Sequence, residues 1–159
     1  MVITNWQKLK GAKKKWKDKR VVLVTGCFDV LHEAHKRFLQ AAKKEGDVLL
    51  AGLESDKRVR QMKGKGRPVN PVKVRLKNLD KLGIADFVFE LPENMQDPKM
   101  QEKIIQSLGV KVLAVSSHTK HQKAKKLILD KYGGRVKVVM KHDPRFSSTQ
   151  IINKLQKRR

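Results

Sequence analysis

The sequence predicts an α/β fold: a single domain built on a doubly wound parallel sheet of five strands. Three observations carry this. Short β-branched or apolar runs alternate with segments of helical periodicity about 10–15 residues long, the order of repeated strand–helix–strand units. The first two runs, Val21–Val24 and Asp47–Leu53, are almost wholly apolar, as strands covered on both faces are. No internal repeat or low-complexity linker divides the 159 residues, a length that fits one domain.

Residues 1–20 form a basic opening, with seven lysines and Arg20 against one acid, Asp18. Trp6, Leu9 and Trp16 fall roughly on one helical face behind Asn5, a good cap residue. The segment reads as a helix packed on the domain by its tryptophans, with a nucleic-acid-binding arm as the other reading. The domain proper spans 21–159. Val21–Val24 is its first strand, and a helix over Glu33–Lys44 follows, with Phe38, Leu39 and Ala42 on its apolar face and Gly46 ending it. Asp47–Leu53 is the second strand. One or two helical turns over 56–62 precede a loop rich in glycine, lysine and proline, Lys63–Asn70. Pro71 suits the first position of the next helix, which runs to about Leu82. Asp86–Glu90, Lys111–Val115 and Val136–Met140 are the remaining strands. Lys99–Leu108, Gln122–Tyr132 and Ser147–Lys157 are the remaining helices, the second of them stopped by Gly133-Gly134.

Composition bounds the function. With 38 Lys or Arg against 15 Asp or Glu, the formal net charge is +23. That predicts attraction to polyanions and says nothing about fold. Cys27 is the only cysteine, which excludes an intramolecular disulfide and a four-cysteine zinc site. The longest apolar run, Val48–Leu53, is far short of the ~20 residues that span a bilayer, and no apolar stretch near the start resembles a secretory signal. The expectation is a reduced, soluble, cytoplasmic protein without a membrane partner.

Ligands of parallel sheets bind beyond the carboxyl ends of the strands, so the residues just after each strand are the candidates. After the first strand stands Thr25-Gly26-Cys27-Phe28-Asp29-Val30-Leu31-His32-Glu33-Ala34-His35. Two histidines three apart face the same way at a helix start, where free N–H groups and the helix dipole favour an anion. They read as phosphate contacts or as two surface histidines. The HExxH zinc signature is absent. After the second strand, Lys63, Lys65 and Arg67 lie on a glycine-containing loop that wraps a polyphosphate or stays solvated. It is neither the phosphate loop of the nucleoside triphosphatases nor a dinucleotide fingerprint. Before the last helix, Ser147, Ser148 and Thr149 serve as caps or as a phosphate cradle of hydroxyl and backbone N–H groups.

Together the three segments, in this order and with these flanking strands, resemble the cytidylyltransferase-like nucleotidyltransferase family. The family's marks are a Gly-x-Phe-Asp-x-x-His-x-Gly-His segment, a Lys-Gly/Arg-Pro loop and a Ser-Ser/Thr-Thr-x-x-Ile helix start. Here they read GCFDVLHEAH, MKGKGRPV and FSSTQII, and the resemblance covers about residues 16–157. Lys19-Arg20-Val21-Val22, Ser55-Asp56, Gly64-x-Gly66-Arg67-Pro68-Val69-Asn70-Pro71 and Tyr132-Gly133-Gly134 look most like the adenylyltransferases that activate heptose 1-phosphate. FMN adenylyltransferases of the archaeal type and the glycerol-phosphate or ethanolamine-phosphate cytidylyltransferases are more distant matches.

The resemblance implies a Rossmann-like sheet and in-line attack of a substrate phosphate on the α-phosphorus of a nucleoside triphosphate, more often ATP than CTP, releasing pyrophosphate. It assigns His32, His35 and Lys63 to catalysis, and Thr25, Gly26, Cys27, Phe28, Arg67, Ser147, Ser148 and Thr149 to the nucleotide. Asp29, Arg75 and His118 fall to the acceptor, with orientation of the turn as the alternative role of Asp29. Magnesium is expected to travel with the nucleotide, held largely by phosphates and waters rather than by a resident metal site. A homodimer is the family-based expectation, and nucleic-acid binding is expected to be weak and non-specific. A non-catalytic nucleotide- or nucleic-acid-binding module with the same fold is the rival from another class.

Three features depart from the family. Ala34 stands where the family has glycine and puts a methyl group near the ligand, beside Glu33. Ser116-Ser117-His118-Thr119-Lys120-His121 replaces a glycine-rich segment with an aspartate after the fourth strand, which leaves the acceptor's identity open. The charge of +23 is not a family mark.

Overall fold

In the computed structural model six strands form one sheet, parallel throughout: β1 (Val2–Ile3), β2 (Val21–Gly26), β3 (Val48–Leu53), β4 (Phe87–Glu90), β5 (Val110–Ser116) and β6 (Arg135–Met140). Their spatial order is β1-β4-β3-β2-β5-β6. The structure describes every residue except Thr4, His142, Pro144, Phe146 and Arg159, and of Ser148 the backbone alone. The predicted parallel α/β architecture is observed, with six strands instead of five. The additional strand, β1, pairs Val2 with Val88 and Ile3 with Phe89 at the sheet edge. Two residues are too few to leave a periodicity in the sequence.

The opening segment is also more broken than one helix. Asn5 caps α1 (Trp6–Gly11), its side chain accepting from the Lys8 N–H, and a 3-10 turn then runs over Lys13–Trp16. Trp6, Leu9 and Trp16 are buried, and the Trp16 indole N–H donates to the Leu108 carbonyl at 3.2 Å. The other helices are α2 (Glu33–Lys43), α3 (Asp56–Lys63), α4 (Val72–Lys81), α5 (Pro98–Leu108), α6 (Gln122–Lys131) and α7 (Ser148–Lys157).

Strand periodicity sorts the sheet's side chains onto two cores. Val21 and Leu23 join Trp6, Leu9 and Trp16 with Ile104 and Leu108 of α5 and Leu129 of α6. Val22 and Val24 point the other way, to Leu39 and Ala42 of α2 and Leu76 and Leu79 of α4. Each fully buried large aliphatic side chain contributes about 1.5–3 kcal/mol, so both faces of β2 help hold the domain together.

Gly46 acts differently from the helix stop expected of it. α2 has already ended at Lys43 with Lys44 as its cap. A Cβ on Gly46 would lie 2.6 Å from the Arg20 carbonyl oxygen, and that carbonyl accepts from the Asp47 and Val48 N–H groups at 2.8 and 3.2 Å. The glycine permits the close approach that registers β3 against β2.

From β2 the chain steps through β3 and β4 in one direction, then returns to β5 and β6 on the other side. That reversal opens a crevice between the carboxyl ends of β2 and β5, the place where such sheets bind ligands.

Candidate functional site

A cavity of about 300 Å³ fills this crevice. Thr25, Gly26, Cys27, Phe28 and Asp29 line it after β2, and Ala114, Val115 and Ser116 line it from β5. His32, Ala34, His35 and Phe38 enter from α2, Lys63 from the end of α3, and Arg67 from the following loop. Ser147 and Thr149 enter from the start of α7, with His118, Thr119, Met140 and Asp143 completing the wall. The three sequence segments, far apart in the chain, meet here.

His32 is the cap of α2, in extended backbone and without a side-chain cap bond. It stacks on His35 with ring centroids 3.9 Å apart, and Phe28 packs on His35 at 5.3 Å. Phe28 holds a left-handed φ of 47°, a conformation that costs a non-glycine residue energy and clusters at functional turns. Both histidines have a buried Nδ1 without a hydrogen-bond partner. Burial pushes the His35 pKa down to about 4, helped by the neighbouring His32, and burial lowers His32 as well. Near pH 7 the pair is therefore two neutral imidazoles, each with one N–H to donate, beside the open N–H groups of a helix start.

The loop after α3 is fastened to the turn after β2. The Asp29 carboxylate accepts from Arg67 Nε, Val69 N and Asn70 N, each at 2.9 Å, and Asn70 Nδ2 donates to the Asp29 carbonyl at 2.9 Å. Burial alone would raise the Asp29 pKa. The Asn70 and Val69 N–H groups and Arg67 outweigh it and hold the carboxyl below its usual range. Arg67 also donates through Nη1 to Thr149 Oγ1 at 3.1 Å, so one guanidinium joins all three segments. Ser147 caps α7, its Oγ accepting from Gln150 N at 3.1 Å. The Ser148 side chain lies outside the described residues.

Two acceptor assignments need correction. Arg75 is fully buried and spends its donors on protein: Nε to Asn70 O at 2.9 Å, Nη1 to Cys27 O at 2.7 Å, and Nη2 to Glu54 O at 2.9 Å and Asp56 Oδ1 at 2.7 Å. It knits three loops together and is absent from the cavity wall. Asp29 lines the cavity, but its carboxylate is saturated by protein donors, which matches its alternative role of orienting the turn. His118 does line the cavity, its Nδ1 2.9 Å from Ser116 Oγ. Burial pushes the Cys27 thiol pKa up, with Lys63 partly opposing it.

Sequence reasoning missed Asn70, Ser116, Thr119 and Asp143. Asn70 stood inside the quoted Arg67-Pro68-Val69-Asn70 run. Its role depends on a partner 41 positions away, which no local pattern reveals.

Residues 23–154 match the family model described as cytidylyltransferase-like. The chain is 37% identical over 142 residues to the bifunctional protein HldE of Geobacter metallireducens, covering 89% of this chain and 28% of that protein. It spans less than a third of the length of the curated relatives it matches first. Among solved structures, the lipopolysaccharide core biosynthesis protein of Thermoplasma volcanium superposes with a TM-score of 0.62 at 24% identity, over 79% of this chain and 97% of that one. The pantoate-beta-alanine ligase of Francisella tularensis, complexed with β,γ-ATP and β-alanine, superposes with a TM-score of 0.61 at 13% identity, over 99% of this chain and 78% of that one. These structural likenesses show a shared fold. The family model covers both conserved ends of the cavity, from β2 to α7, and this chain belongs to the cytidylyltransferase-like family.

Proposed function

We propose that the chain is a nucleotidyltransferase that moves AMP from ATP to a small phosphorylated acceptor, a sugar phosphate of the heptose 1-phosphate type, with release of pyrophosphate. The observation that carries this reading is the stacked, neutral His32–His35 pair. Its two unpartnered buried nitrogens stand at a helix start, facing a cavity whose far wall is Lys63, Arg67 and the start of α7.

An acceptor phosphate oxygen attacks the α-phosphorus in line, the P–O–P bond of the new diphosphate forms, and the bond to pyrophosphate breaks. Charge gathers on the phosphoryl oxygens in the transition state, so positioning and fixed donors supply most of the catalysis. His32 and His35 donate to the triphosphate, and Lys63 neutralises charge at the α-phosphate. Arg67, Thr149 and the backbone N–H groups at the start of α7 hold the β- and γ-phosphates. Magnesium belongs to the same proposal, bound to the nucleotide's own oxygens. Among the described residues no group of three His, Cys, Asp or Glu converges to cage a metal, a donor set that suits an ion carried in by its phosphates.

A cytoplasmic setting, where nucleoside triphosphates are abundant, and a homodimer are parts of the proposal, the latter checked by sedimentation. A cleft at the opposite end of the strands, lined by Lys10, Lys13, Lys14, Lys17, Lys19, Arg20 and Lys111, supports weak, non-specific attraction of nucleic acid. Among the described residues no helix is long and apolar enough to cross a membrane.

The test is pyrophosphate release with each of four nucleoside triphosphates against heptose 1-phosphate, other sugar 1-phosphates, FMN and glycerol 3-phosphate, with and without magnesium. ATP with a sugar phosphate is expected to turn over. No release from any pair, with ATP bound, defeats the catalytic reading.

A further inference from the structure

Beside the cavity, three charged side chains from three elements converge without closing an ion pair. Glu54 follows β3 at the carboxyl edge of the sheet. Its N–H donates to the Gly26 carbonyl at 2.9 Å and its carbonyl accepts from Arg75, which fixes the backbone. Its carboxylate Oε2 is buried and has no hydrogen-bond partner. Arg58 stands in the first turn of α3, its N–H held by Ser55 Oγ at 3.1 Å, yet its own Nε is buried and unpartnered. Lys125 rises half-buried from the first turn of α6, and Glu54 is the charge whose field it feels.

Buried ionised groups are normally paired or hydrogen-bonded, because desolvation is costly. Here burial raises the Glu54 pKa while Arg58, Lys125 and Arg75 oppose the rise, and burial lowers that of Lys125. Attraction across the trio is felt, and no direct contact completes it. Such orphaned atoms call for an explanation, and a bound ligand supplies one. The place fits: Cys27, on the cavity wall, feels the charges of both Lys63 and Glu54, so the trio flanks the site of transfer.

The chemistry of the three groups narrows the ligand. A carboxylate accepts from hydroxyl groups, and a guanidinium and an ammonium donate to oxygen atoms. A polyol satisfies all of them at once, whereas a flat apolar ring would leave them stranded. We propose that Glu54, Arg58 and Lys125 form the acceptor subsite and select a polyhydroxylated phosphate, Glu54 accepting from its hydroxyls while Arg58 and Lys125 donate to its oxygens. This rests on the nucleotidyl-transfer reading above.

The experiment measures KM for ATP and for heptose 1-phosphate in the wild type, Glu54→Gln and Arg58→Gln. It is paired with calorimetric binding of heptose 1-phosphate, its monodeoxy analogues and FMN in the presence of a non-hydrolysable ATP analogue. The expected result is a rise of about 10–100-fold in acceptor KM, the range for hydrogen bonds to charged groups. KM for ATP should stay within about twofold, the thermal midpoint should not fall, and the deficit should shrink for at least one deoxy analogue. Turnover with acceptor KM unchanged in both variants overturns the subsite and leaves the enzymatic reading standing. Heptose 1-phosphate binding that Glu54→Gln abolishes, without any turnover in the wild type, keeps the subsite and defeats the catalytic reading. Equal losses for FMN and the sugar phosphate overturn the proposed selectivity.

Discussion

Arg67 and Asp29 form an ion pair at 2.9 Å in which the aspartate side chain is 1% exposed and the arginine 10%. The pair holds the loop after α3 onto the turn after β2, and Arg67 carries the link on to Thr149. Site geometry and local stability are thus the same set of bonds.

Asp29→Ala is expected to cost about 3–5 kcal/mol, because it leaves Arg67 buried without its counter-charge. Thermal unfolding should show the midpoint falling by roughly 10 °C. A midpoint within a degree of the wild type would mean that water replaces the carboxylate at no cost.

Lys63 and Arg75 separate chemistry from architecture. Lys63→Ala should lower turnover by ~10²–10³-fold with little change in thermal midpoint, since the side chain is exposed at the cavity mouth. His35→Ala should lower turnover similarly. Arg75→Ala should destabilise first, by stranding the Cys27, Glu54 and Asn70 carbonyls. Parallel activity and denaturation curves for the three variants check this. Loss of stability matching loss of activity in Lys63→Ala would make that residue structural.

Nucleotide binding should take up a proton. His35 titrates at about 4 in the free fold against a model value of 6.5, and a phosphate oxyanion beside it favours the charged ring and raises that value. ATP affinity should therefore rise as pH is lowered from 8 to 6, measured by calorimetry in buffers of different ionisation enthalpy. Without ligand, the depressed pKa acts on stability in the other sense. As pH falls from about 6.5 towards 4 the unfolded chain protonates first, so stability is full above that window and declines within it.

Ala34→Gly removes a methyl from the cavity wall in the first turn of α2. It should tighten triphosphate binding and lower stability by roughly 0.5–1 kcal/mol. Unchanged ATP affinity would show that the turn already accommodates the methyl. Binding seen only in the variant would mark the chain as a lapsed enzyme.

RNA and DNA should bind weakly, with an affinity that falls steeply between 50 and 200 mM salt, the mark of phosphate contacts alone. Fluorescence anisotropy with an unstructured oligonucleotide reads this. Tight, sequence-selective binding at physiological salt would overturn it.

The parallel sheet was legible because each inner strand is covered on both faces, so Val21–Val24 and Val48–Leu53 announce themselves by composition. Helix ends were legible where a cap chemistry marks them, as at Asn5 and Ser147. β1 was not, being two residues whose pairing is set by β4. In the site, His32, His35, Lys63 and Arg67 could be singled out because charge or ring nitrogen at a strand end has few other uses. The roles of Asp29, Asn70 and Arg75 could not. They are fixed by bonds that cross 38 to 48 positions of chain, and a buried arginine looks in sequence like an exposed one.

Trp6 and Trp16, the two tryptophans of the chain, are sealed on the α5 and α6 face, and Trp16 borders the amino end of the sheet. Cys27, the single thiol, borders the cavity at the other end. The chain therefore carries two intrinsic labels that report on different events. Indole emission should follow unfolding and stay silent when nucleotide binds. Alkylation of Cys27, slow because burial disfavours its thiolate, should be slowed further by ATP, giving an optical and a chemical readout that can be followed in one sample without an added probe.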